Sequence, residues 1–201
     1  MMKTFLRAAA LVAAAVLLLS FSSCGKTYSE DEIKAAATEL IEASYDINEV
    51  FFGKGLPGVE PEGTDVMRYL KIAEDSPYHT EEEIKTAALA VYSEGYCKLL
   101  FERAFSGFSL DESDSDGIDT TKLVDARFVT YNDELVILPL KDEDLMKLDR
   151  TYDTDNIKVV KQKSGTVIIS VPSFVDGKKS DEVQLNLIKT EKGWRLDSPT
   201  Y

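Results

Sequence analysis

Several stretches of the sequence hold residue types that can do chemistry. Gly53-Lys54-Gly55-Leu56-Pro57-Gly58 matches G-x-G-x-x-G letter for letter. A phosphate cradle of that pattern follows a strand and opens a helix. Here a helical pattern precedes it, Val59-Glu60-Pro61-Glu62-Gly63 follows it, and Pro57 removes a backbone donor. The stretch reads as a surface loop. Glu112-Ser113-Asp114-Ser115-Asp116-Gly117 has the opening of a calcium loop, but its twelfth position is Leu123 instead of a bidentate Glu, and its eighth is Asp119. It reads as a solvated acidic loop. His79 is the only histidine, so a Ser-His-Asp triad must use it and a two-histidine metal site is excluded. It stands just before Thr80 and reads as a loop or capping residue. Cys97 lies among Tyr96, Leu99 and Leu100 and reads as a buried, inert thiol. The 36 Asp and Glu include no pair that the sequence marks for acid–base work. No catalytic residue, metal site or cofactor is assigned, partner-binding residues stay unassigned, and the domain reads as non-enzymatic.

The most specific chemistry lies near the N-terminus. Lys3 and Arg7 precede an apolar run that ends in Leu-Leu-Leu-Ser-Phe-Ser-Ser-Cys-Gly-Lys. From Ala8 to Leu19 the run is short of the ~20 residues that a spanning helix needs. It has the length and flanks of a signal peptide. Phe21-Ser22-Ser23-Cys24 resembles the lipobox of bacterial lipoproteins, with Phe21 where the family prefers Leu. The resemblance implies that residues 1–23 are removed and that Cys24 is acylated, placing the protein on the outer face of the bacterial cell membrane. Two acyl chains suffice for stable attachment. Plain secretory cleavage near Ser23 and an uncleaved anchor are the other readings. Residues 24–29 form a tether. Without Cys24 the only other thiol is Cys97, so no intramolecular disulfide can form.

Composition limits the partners. The chain of 201 residues has net charge −13, and loss of Lys3 and Arg7 with the first 23 residues takes the remaining 178 to −15. Such a surface has no basic footprint for nucleic acid and argues against lying flat on anionic lipid. It suits solubility or a basic partner.

The elements that must carry these residues follow from periodicity. Ser29 is a candidate N-cap with Glu32 completing a capping box. Ile33, Ala36/Ala37, Leu40/Ile41, Ser44, Ile47/Asn48 and Phe51 make a stripe of period 3.6, so a helix runs to Gly53. Gly53 to Gly63 is a loop. Val66 to Ile72 reads as a strand, with a short helix as the other reading. Thr80-Glu81-Glu82-Glu83 is a second capping box, opening a helix to about Tyr92. Ser93-Glu94-Gly95 interrupts it, and a second piece from Tyr96 to Phe105 ends at Gly107. Leu110 to Thr121 is an acidic loop. Asp125 to Tyr131 and Glu134 to Leu140 flank a hairpin turn at Asn132-Asp133. Lys141 to Asp155 is a charged connection. Four strands are then expected: Ile157–Gln162, Thr166–Val175, Glu182–Thr190 and Gly193–Asp197. Their short turns imply an antiparallel meander. Val183, Leu185, Leu187 and Lys189 form the packed side of the third. Trp194 and Leu196 share one face of the last, with Trp194 in the core in preference to a ligand platform. The expected fold class is α+β, with N-terminal helices on one face of a curved antiparallel sheet in a single domain over residues 30–201.

Two stretches, RTYDTDNIKVV (Arg150 to Val160) and KTEKGWRLDSPTY (Lys189 to Tyr201), resemble segments of clostridial-type extracytoplasmic lipoproteins. The layout from the first helix through YLKIAEDSPYHTEEEIKTAALAVYSEGYCKLL to the final Gly-Trp-Arg-Leu-Asp is similar to two groups. One is the cystatin-like, nuclear-transport-factor-2-like class of cone-shaped α+β domains. The other is the secreted inhibitors of peptidoglycan DL-endopeptidases, which share a Tyr-rich segment before a Thr-Glu-Glu helix start and a Trp-Lys-Leu-Asp-type ending. The second resemblance implies non-catalytic binding to a cell-wall cysteine hydrolase, in part through acidic surface. The first implies a pocket between sheet and helices that hosts a small molecule or an enzyme site in some members. The expected role is a membrane-anchored binding module that contacts the bilayer through acylated Cys24 and an envelope protein or wall component through its surface.

Overall fold

A computed structural model of the chain describes residues 27–60, 69–112, 120–141, 145 and 148–201. The expected signal peptide, Cys24, residues 66–68 of the expected strand and the centre of the expected acidic loop, 113–119, lie outside the described residues. The fold is α+β, with antiparallel pairing in every sheet. Helix α1 runs Glu30–Phe52, α2 Glu81–Val91 and α3 Glu94–Phe101. The Ser29 side chain accepts from the Glu32 backbone N–H, as an N-cap does. The Glu32 carboxylate does not complete the box: it reaches Lys189 and Trp194 instead. At α2 the box is complete, with Thr80 and Glu83 bonded in both directions. Ser93 breaks the helical run by capping α3, and a π-helical turn, Glu102–Ser106, leads to Gly107 at φ 71°.

The expected single sheet is divided. The main sheet has the order β13-β12-β9-β8, from β8 (Lys158–Lys163), β9 (Thr166–Val171), β12 (Val183–Thr190) and β13 (Gly193–Leu196). These are the four predicted meander strands. The second ends early because Pro172 breaks it, and β10 (Ser173–Val175) leaves to pair with β7 (Arg150–Tyr152) and β11 (Lys178–Lys179). The strand β7 replaces part of the expected charged connection. A small sheet has the order β1-β2-β6-β5, from β1 (Gly58–Val59), β2 (Leu70–Ile72), β6 (Glu134–Ile137) and β5 (Phe128–Tyr131). Its β1 lies inside the stretch expected to be loop. Likewise, β3 (Phe108–Glu112) and β4 (Thr120–Val124) pair as the arms of a ribbon where an acidic loop was expected. Acid count alone predicts loop, whereas Phe108, Thr120, Thr121 and Val124 supply strand-forming residues beside the charges.

Hairpin turns follow the sequence signals. Asn132 and Asp133 both have positive φ, 51° and 64°, matching the twist of a two-residue hairpin. Ser164-Gly165 and Asp176-Gly177 repeat the solution. The inner face of the main sheet meets the apolar stripe of α1. Ile33, Ile41, Val167, Leu185, Leu187 and Leu196 have no exposed surface, and they fill the space between helix and sheet.

Candidate functional site

Three constellations join distant parts of the chain. The first is at the start of the folded body. The Gln162 carboxamide accepts from the Tyr28 N–H at 2.6 Å and donates to the Tyr28 carbonyl at 3.1 Å, so a β8 side chain stands in for a strand neighbour. The Tyr28 ring meets Trp194 edge-on at 4.8 Å. Lys189 Nζ lies 5.3 Å from the Tyr28 ring centre and 5.0 Å from that of Trp194. Glu32 accepts from Lys189 at 3.4 Å and from the indole N–H at 3.3 Å. Trp194 is buried, as its strand pattern predicted, and serves as the wall against which the entering chain is pressed.

The second is a buried polar cluster. Thr200 Oγ1 lies 2.7 Å from Ser44 Oγ and 2.9 Å from the Tyr92 hydroxyl, and accepts from Asn48 Nδ2 at 2.8 Å. Tyr92 also donates to Asn48 Oδ1 at 2.7 Å. All four residues are buried. The Tyr152 hydroxyl donates to the Thr200 carbonyl at 3.1 Å, and Tyr201 stacks on Phe52 at 3.8 Å. Burial pushes the Tyr92 phenol up to about 12 and Tyr152 to about 12, so both stay protonated at neutral pH. Burial also pushes the Tyr96 phenol up, with Tyr201 beside it adding to the shift. The cluster therefore holds neutral hydroxyls in mutual bonds. It clasps α1, the α2–α3 junction and the final segment together, and it provides no base.

The third is Arg127, which is buried. Its Nε donates to the Val50 carbonyl at 3.2 Å and one terminal nitrogen to the Gly53 carbonyl at 2.7 Å. These are end groups of α1, where the helix leaves carbonyls unpaired and favours a cation. Burial lowers the guanidinium to about 10, opposed by Glu49, so it remains charged at neutral pH. Gly55, at φ +88°, lets it approach: a Cβ there would lie 2.5 Å from the guanidinium. The literal nucleotide motif is thus the loop that wraps this helix end.

The remaining sequence candidates stay apart. His79 donates its backbone N–H to Glu83 at 2.7 Å, a bond that lowers the Glu83 carboxyl and belongs to the helix cap. Cys97 has no exposed surface, and burial pushes its thiol up to about 12, which makes it a poor nucleophile. Among the described residues, no group of three or more His, Cys, Asp and Glu is placed to hold a metal, and no helix is long and apolar enough to cross a membrane. Gln162, Thr200 and Arg127 escaped the sequence reading. Gln162 gave no usable signal: alternation from Val159 would turn it outward, and the β8 bulge between Val159 and Lys161 turns it inward. No family model matches the chain, and no curated protein matches it.

Proposed function

We propose that this protein is an extracytoplasmic lipoprotein, anchored through acylated Cys24, that acts as a non-catalytic binding module of the cell envelope. The observation that carries the reading is the fixing of Tyr28, four residues after Cys24, by Gln162 and Trp194. A lipid on Cys24 would then hold the body within at most about 14 Å of the anchor point. From there α1, 23 residues and about 35 Å long, extends to the small sheet, whose Val59, Val129 and Tyr131 are exposed. The space between α1 and the main sheet is filled by side chains, which favours recognition on the outside over a small molecule or reaction inside. The Cys24→Ser variant should leave the membrane fraction and lose fatty-acid labelling. Unchanged fractionation would overturn the anchor.

The partner favoured by charge is basic. From Glu30 to Asp155 the chain has 12 Lys and Arg against 31 Asp and Glu. A cell-wall cysteine DL-endopeptidase, the partner class that the resemblance implies, is the concrete form of this reading. The purified protein should slow muropeptide release by such an enzyme from the same cell, and absence of binding to any of them would exclude it.

A further inference from the structure

The two faces of the main sheet differ in chemistry. Strand register turns Val167, Ile169, Leu185 and Leu187 inward, where they are buried. The opposite positions bring Lys158, Lys161 and Lys163 of β8 onto the outer face, while Arg195 of β13, on the other edge, donates from its guanidinium to the Leu89 and Trp194 carbonyls. Between them lie Ile168, Asn186 and Ile188. No acidic residue occupies an outward position of these four strands. Glu182, just before β12, binds Lys158 at 2.9 Å and accepts from Ser170 at 2.7 Å, which neutralises one end of the row. Lys161 and Lys163 are exposed, as is Val160 at the bulge between them and Lys158. From Ile157 onward the chain has 8 Lys and Arg against 5 Asp and Glu, a net +3 in a protein of −13.

The chain enters the fold against the opposite, inner face of the same sheet, where Tyr28 is held by Gln162 and Trp194, both at inward positions. Gln162, which pins Tyr28, lies between Lys161 and Lys163 on the same strand. We propose that the outer face of the main sheet rests on anionic lipid headgroups of the bilayer. The inference rests on acylation of Cys24, which would keep that face within tether reach of the membrane. Basic residues close to an anionic surface are attracted to it. Glu32 of α1 bonds Lys189 and Trp194, whose strand positions face inward, so this acid lies on the other side of the sheet from the row. Charges separated through solvent by more than a Debye length of about 8 Å are largely screened, so the exposed lysines of the row count most at contact. The negative total charge therefore opposes docking less than the local row favours it.

The test uses the full-length, acylated protein in vesicles of phosphatidylcholine with or without phosphatidylglycerol. A fluorophore is placed at Asn186→Cys on the outer face or at Thr130→Cys on the small sheet, both exposed positions. Cys97 has no exposed surface and does not compete for label. Energy transfer to headgroup-labelled lipid should be stronger from position 186 than from 130 in anionic vesicles. It should weaken as salt shortens the Debye length to about 3 Å. The Lys161→Glu/Lys163→Glu variant should lower the docked-to-undocked ratio by at least about 25-fold, taking about fivefold per lysine removed. Equal transfer from both positions, or transfer from 186 indifferent to lipid charge, salt and these lysines, would overturn the proposal. So would lysine-dependent protection of position 186 by soluble poly(glycerol phosphate) with no response to lipid charge, which would assign the face to a wall polymer. Failure of the anchor is read separately: Cys24→Ser would then float with vesicles as well as the parent does, whatever the transfer values.

Discussion

The main sheet and the small sheet each contain four antiparallel strands, and they are held in different ways. In the main sheet β9 and β12 share six paired positions, and the inner residues Val167, Ile169, Leu185 and Leu187 have no exposed surface. Any one contact there is backed by several others. In the small sheet the strands are two to four residues long, β2 and β6 share two paired positions, and three consecutive residues of β5 are exposed. Its link to the helical layer includes one buried guanidinium at the end of α1. Redundant burial gives a platform, while short strands with a polar pin give a surface that can open without loss of the whole.

Three measurements test that contrast. Leu187→Ala, at the centre of the main sheet, should have the largest effect. A fully buried leucine cut to alanine costs about 2–5 kcal/mol. The urea midpoint should fall with an unchanged slope, because the whole body unfolds together. Loss of protection confined to β12 and β13 would break the contrast. Arg127→Met should cost about 2–3 kcal/mol, since hydrogen bonds from a charged donor are lost at a buried helix end. Native-state hydrogen exchange should place that loss in β5 and β6 and leave β9 and β12 protected. The smallest effect concerns alkaline pH. Tyr92 is raised from 10.0 to about 12, so the unfolded chain releases this proton first. Its contribution is intact below pH 10 and is lost as pH rises toward 12, at about 1.4 kcal/mol per pH unit. Urea unfolding at about pH 9 and about pH 11 should show a fall that Tyr92→Phe makes shallower, with Tyr152, Tyr96 and Cys97 carrying the remainder, and a fall of equal steepness in the variant would remove Tyr92 from the explanation.

Regular elements were legible in the sequence because their causes are local. The stripe from Ile33 to Phe51 gave α1, the Thr80–Glu83 box gave the start of α2, and Asn132-Asp133 gave the β5–β6 turn. The meander was legible because its turns are short. What escaped depends on pairing across long separations. Ser29 and Glu32 have capping-box spacing, yet Glu32 serves Lys189 and Trp194, more than 150 residues away. The division into separate sheets turns on Pro172, whose effect depends on what β7 offers as a partner. Arg127 is one cation in an acidic chain, and its position beneath Gly55 is visible only in three dimensions. The basic outer face needs the register of four strands at once, and the total charge of −13 conceals it.

The bond between Ser44 and Thr200 spans 156 positions of the chain. Closing a loop of that length is entropically slow, and contacts of this separation form late. Helices α1 and α2 and the β12–β13 hairpin can gather first, because each needs only its neighbours. The clasp around Thr200 must wait until the segments carrying Ser44, Tyr92 and Thr200 have met. This part of the interior is therefore expected to close late, through one hydroxyl shared by segments far apart in the chain.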